Sequence, residues 1–165
     1  MRIFIMKKHI ALILSAILAF SLFTSCQKEK TLDMQQAVAN IQALEVTENG
    51  ETYPLFNNML EVDSNTNVIY NIDLSLLEEY HICLPMIIVK SNLYIIAKPV
   101  AGKEAEASEM FDAFMANYEM QWQNYLPDQY QLVVNRVETN IDGYIIYIIS
   151  TDNDAVMQAI EDARV

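Results

Sequence analysis

Gly143-Tyr144-Ile145-Ile146-Tyr147-Ile148-Ile149 is the stretch that most restricts how this chain folds. Apolar side chains follow one another there without alternation, so a strand built from them buries both of its faces and belongs in the middle of a sheet. Asp142-Gly143 immediately before it is a strong two-residue hairpin signal. The residues preceding the turn therefore pair with it in antiparallel fashion.

The remaining pattern surrounds that strand with helices and further strands. Met34, Val38, Ile41 and Leu44 fall on one helical stripe over residues 32–44, with Thr31 as N-cap and Asp33 in the first turn. Thr47-Glu48-Asn49-Gly50-Glu51 reads as the turn that ends this helix. Residues 54–67 are mixed in character. Tyr80-His81-Ile82-Cys83-Leu84, Ile87-Ile88-Val89 and Leu93-Tyr94-Ile95-Ile96-Ala97 read as strands, with Pro85 at a bulge or edge and Ser91-Asn92 as the turn. Phe111, Phe114, Tyr118, Trp122 and Tyr125 recur every three or four residues in a helix over 103–125, which Pro127 stops. Leu132-Val133-Val134 with Val137 suggests another strand, and a last helix runs from Asp152 or Asp154 to about Ala163. The order α-β-β-α-β-β-α predicts a single α+β domain over residues 32–165, with a mainly antiparallel four-stranded sheet packed by helices.

The first residues read as an address. Lys7 and Lys8 precede an apolar stretch over residues 10–23, and Thr24-Ser25 leads into Cys26. This is the order of a secretory signal peptide over residues 1–25, and the cysteine position resembles a bacterial lipobox. Met6 serves as well as Met1 for a start, since MKKHIALIL is already a complete beginning. Fourteen apolar residues are too few for a comfortable membrane span of about 20. The expectation is removal of residues 1–25 and acylation of Cys26, with residues 26–31 as lipidated cysteine and polar tether. Cys83 is then the one remaining thiol, and an intramolecular disulfide is excluded.

Without the leader, seven basic groups face 22 acidic ones, a net charge of −15. So acidic a surface repels phosphate backbones, and no nucleic-acid partner is expected.

Beyond the lipobox, several stretches resemble one family. They are Tyr70-Asn71-Ile72-Asp73, Leu93-Tyr94-Ile95-Ile96-Ala97-Lys98, and an acidic helix running into Tyr125-Leu126-Pro127-Asp128-Gln129-Tyr130. Gly143-Tyr144-Ile145-Ile146-Tyr147-Ile148-Ile149-Ser150 with Asp152 closes the pattern. The chain resembles the small bacterial surface lipoproteins grouped as the domain of unknown function 4358 family. The resemblance implies an α+β fold and a surface address, and it implies no catalytic residue.

Chemistry must therefore come from individual side chains. His81 is the single histidine outside the leader, which excludes a multi-histidine metal site; no metal or cofactor is expected. Cys83 lies two residues on, on the same strand face, with no cationic neighbour in sequence to lower its pKa. A core thiol and a bystander histidine explain the pair better than a hydrolase does, because no glycine-rich oxyanion loop accompanies it. Asp63-Ser64-Asn65-Thr66-Asn67 opens like a calcium loop, but Val68 and Leu74 stand where glycine and glutamate are required. An Asx-rich turn is the better reading. Asp152-Asn153-Asp154 is explained by an N-cap. Tyr118, Trp122, Tyr125 and Tyr130 suggest an aromatic binding surface, weighed against burial of the same stripe on the sheet.

No phosphate-binding loop, dinucleotide fingerprint or Gly-x-Ser-x-Gly is present. The expectation is a membrane-anchored, non-enzymatic lipoprotein that binds an envelope protein or polymer. The alternative is a small envelope hydrolase using carboxylates or the Cys83/His81 pair.

Overall fold

A computed structural model describes residues 30–165. The expected signal segment and Cys26 lie outside the described residues. From Asp33 onward, local signals start each element. The Asp33 carboxylate accepts from the Gln36 N–H at 3.0 Å and starts α1 (Met34–Gln42), the capping role expected of Thr31. Asn49 and Gly50 both take positive φ and close a hairpin of β1 (Glu45–Glu48) and β2 (Glu51–Pro54). The turn expected there exists, but it joins two strands as well as following a helix.

A five-stranded antiparallel sheet follows, where four strands were expected. It is built from β3 (Met59–Glu61), β4 (Leu77–Pro85), β5 (Leu93–Pro99), β6 (Val137–Ile141) and β7 (Tyr144–Ile149), in the order β3-β4-β5-β7-β6. The unforeseen strand β3 lies in the mixed region and pairs along the outer edge of β4. Asp142 and Gly143 form the predicted hairpin turn between β6 and β7, both at positive φ.

Helices cover both faces of the sheet. Leu93, Ile95 and Ala97 of β5 with Tyr147 and Ile149 of β7 pack under α2 (Glu104–Trp122) and α3 (Pro127–Val134). Tyr94, Ile96, Ile146 and Ile148 face the other way, onto α1 and α4 (Asn153–Glu161). Antiparallel sheets commonly leave one face in water. Here both are covered, which explains why β5 and β7 are apolar without alternation.

Three local expectations are corrected. Leu132-Val133-Val134 is helical: Pro127 ends nothing but occupies the first turn of α3, where its missing N–H costs nothing and its φ suits the helix. Val133 is fully buried against α2, and that packing outweighs the weak β preference of two valines. Ile87-Ile88-Val89 forms no strand but an exposed loop. Ser91 and Asn92 are not a turn tip, since both are buried. The long helix stops at Trp122 and the last one at Glu161, each short of its expected end. The element order is therefore α-β-β-β-β-β-α-α-β-β-α.

Candidate binding groove

The groove begins where β4 ends. Pairing of β4 with β5 ends at Cys83 and Tyr94, and residues 86–90 loop outward before the chain returns into β5. The base of the return is clamped. The Ser91 N–H donates to Gln129 Oε1 at 2.8 Å, its hydroxyl donates to the Gln129 carbonyl at 3.0 Å, and Tyr118 OH donates to the Ser91 carbonyl at 3.1 Å. Its tip, by contrast, is apolar and unsheltered. Met86 is 65%, Ile88 77% and Val89 52% exposed.

Between this loop and the C-terminal half of α2 lies a hollow of about 380 Å³. Tyr118, Gln121 and Trp122 of α2 form one side with Tyr125 just beyond the helix, and Lys90 stands on the loop side. Tyr70, Tyr118 and Gln121 also line an adjoining hollow, which runs along α2 past Ile69 and Met120. Ile69 and Met120 are exposed there, beside the polar Asn71, Asn117 and Gln121. Exposed apolar side chains grouped beside a hollow are what interaction sites in general display.

The predicted aromatic surface divides. Tyr118, Trp122 and Tyr125 do come together, as a ladder with ring centroids 6.1 and 5.8 Å apart. Trp122 is 6% exposed and forms a wall of the hollow, while Tyr125 is half exposed. Burial pushes the Tyr118 phenol well above its ordinary pKa, so it stays a neutral donor. Tyr130 does not line the groove; it packs half-buried against the core on the α2 face. Sequence reasoning missed Tyr70, Lys90, Gln121 and the loop itself.

The second candidate, Cys83 with His81, lies on the opposite face of the sheet, in the core under α1 and α4. His81 Nε2 is 3.4 Å from Cys83 Sγ and 3.0 Å from Tyr94 OH, and its Nδ1 is 3.4 Å from Glu61. Thiol, imidazole and carboxylate thus follow in the order of a nucleophile, its base and an orienting acid. The surroundings oppose that chemistry. Cys83 is 6% and Tyr94 1% exposed, and Phe56 packs edge-on against Tyr94. Burial raises the thiol pKa, against a smaller opposing pull from the Tyr94 hydroxyl, and the nearby Glu61 carboxylate adds a lesser upward push. Burial also lowers the His81 pKa, against a smaller opposing pull from Glu61. A neutral thiol beside a neutral imidazole is a packed hydrogen-bond cluster rather than an activated nucleophile.

Other carboxylates have structural duties. Asp63 accepts from the N–H groups of Asn65 and Thr66, at 2.9 and 3.0 Å, as an Asx turn. Asp152 accepts from the Ala155 N–H at 3.0 Å and caps α4. Among the described residues no group of three or more His, Cys, Asp or Glu side chains is arranged to hold a metal ion. Nor is any described helix long and apolar enough to cross a membrane.

Comparison with curated proteins and with solved structures finds no match in either. A family model described as a domain of unknown function (DUF4358) matches residues 51–150. That span takes in all five strands of the sheet, α2 and α3, and hence both the groove and the Cys83 cluster. The chain belongs to the DUF4358 family.

Proposed function

We propose that this chain is a non-enzymatic binding module of the bacterial cell envelope, exported and held at the membrane by a lipid on Cys26. The observation that carries the reading is the apolar loop of residues 86–89, held out over an aromatic-walled groove on a clamped base. Burying such side chains against a partner gains about 25 cal/mol per Å², and leaving them in water gains nothing for the fold. The leader and Cys26 supply the address.

A small envelope hydrolase built on Cys83 and His81 is the second reading, favoured by the order of its three side chains and opposed by their burial.

Photocrosslinking in the native cells tests the first reading. A photoreactive residue in place of Ile88 or Met120 should trap a discrete partner, whereas one in place of Gln158, exposed on α4, should not. Equal trapping at all three positions, or none at any, refutes the groove as the binding surface. Cys26→Ala should in parallel release the protein from the membrane fraction; a wild-type chain already soluble and unacylated refutes the anchor.

A further inference from the structure

The groove has one charged side chain, and it is a cation in a strongly acidic protein. Lys98, Lys103, Arg136 and Arg164 each pair with a carboxylate within 4.0 Å: Glu78, Glu106, Glu119 and Asp142 respectively. Lys90, alone on the groove wall, pairs with none among the described residues. Lys30, far from the hollow, also has no partner among the described residues, but Lys90 stands at the edge of an apolar hollow, where its charge complements a negative group on what docks there.

The occupant's other properties follow from the lining. Met86, Ile87 and Ile88 in the groove and Met120 in the adjoining hollow are aliphatic, and the two methionines are flexible enough to mould to apolar side chains. A sugar ring needs a flat aromatic face with several free polar groups. Here Trp122 is turned into the core, and the Tyr118 hydroxyl is already committed to Ser91.

The bilayer is disfavoured by position and charge. Thr31 enters the fold paired with Val165, and Arg164 holds Asp142 of the β6–β7 turn. This is one pole of the sheet, while residues 86–90 lie at the other, the length of β5 away, seven residues or about 23 Å. Four tether residues, 27–30, reach at most about 14 Å. Touching its own membrane requires the domain to lie flat, pressing a chain of net charge −15 against an anionic surface.

Resting on the binding-module reading above, we infer that the groove seats an apolar peptide segment of a partner protein, one of whose carboxylates lies against Lys90. The distributed negative charge of the domain does not forbid this, because it is screened within about 8 Å at physiological salt and a direct contact is not.

Trp122 is the chain's single tryptophan and lies on the groove wall, so its emission reports occupancy. The full chain is reconstituted in phosphatidylcholine vesicles and titrated with three short leucine-bearing amphipathic peptides. These are identical except for a central Glu, Gln or Lys. The Glu peptide should bind roughly threefold more tightly than the Gln peptide, the worth of one partly exposed ion pair, with the Lys peptide weakest. Lys90→Glu should reverse that order, and Ile88→Asp, at an exposed position, should abolish all three responses. If Ile88→Asp abolishes binding while Lys90→Glu leaves the order unchanged, the groove stands and the carboxylate inference falls. If phosphatidylglycerol vesicles or soluble peptidoglycan fragments shift the emission and the peptides do not, the occupant is a lipid or a glycan and the inference is overturned. If binding is indifferent to both substitutions, the groove reading falls with it.

Discussion

Trp122→Ala removes an indole that is 6% exposed and lies between Tyr118 and Tyr125, at centroid separations of 6.1 and 5.8 Å. A buried tryptophan withdraws about 150–250 Å² from water, worth roughly 4–6 kcal/mol at about 25 cal/mol per Å². That is an upper bound, because unfolded chains already shield part of this surface. The void left by the indole opens into the groove, so water enters and the cavity penalty is small. The loss should therefore fall near the low end of the usual range, about 3 kcal/mol. Against a total of about 5–15 kcal/mol the variant still folds, with Tm lower by roughly 10 °C. The assay is urea unfolding followed by far-ultraviolet circular dichroism, since the substitution deletes the fluorescent reporter. The midpoint should move and the m-value should not. A loss below about 1 kcal/mol would mean the indole carries no packing load, and the aromatic wall would be an open platform instead.

Two further outcomes concern the Cys83 cluster. Cys83 should resist a thiol probe at neutral pH in the native protein and react rapidly only once unfolded, because burial keeps it protonated; fast native labelling that disappears in His81→Ala would identify an activated nucleophile and favour the hydrolase. Since burial lowers the folded His81 pKa, the unfolded state binds the proton more readily, and stability should fall as pH drops below about 6.5. Urea midpoints between pH 5 and 8 should slope less in His81→Gln than in wild type, and parallel curves would refute the depressed pKa.

What could be read in advance depended on how local each signal was. The unbroken apolar run of β7 announced a central strand because burial on both faces leaves no other pattern; β5 was legible as a strand, and its central place comes from pairing with β4 and β7. Asn49-Gly50 is as good a hairpin signal as Asp142-Gly143, yet its flanking residues are Thr, Glu and Tyr on mostly exposed strands, so no core face betrayed them. Three-residue β3 is too short to show a period, and it exists because β4 offers an edge. Glu61 joins His81 only through that pairing, at a separation in sequence that no spacing rule reaches. Residues 86–89 misled for a different reason. Their composition is that of a strand, and local chemistry places them inside; the fold holds them outside, in the loop that joins β4 to β5.

The bridge between the two chain ends bears on the order in which the protein becomes itself. Thr31 and Val165 exchange backbone hydrogen bonds of 2.9 and 3.1 Å, and α1 rests beside α4. Residues 31–33 therefore find their backbone partners in residues 163–165, at the far end of the described sequence. During folding, the backbone bridge that fixes the start of α1 stays open until residues 163–165 arrive. Contacts spanning the whole sequence form late and slowly. A domain so arranged holds the stretch before α1 loose until residues 163–165 come to meet it.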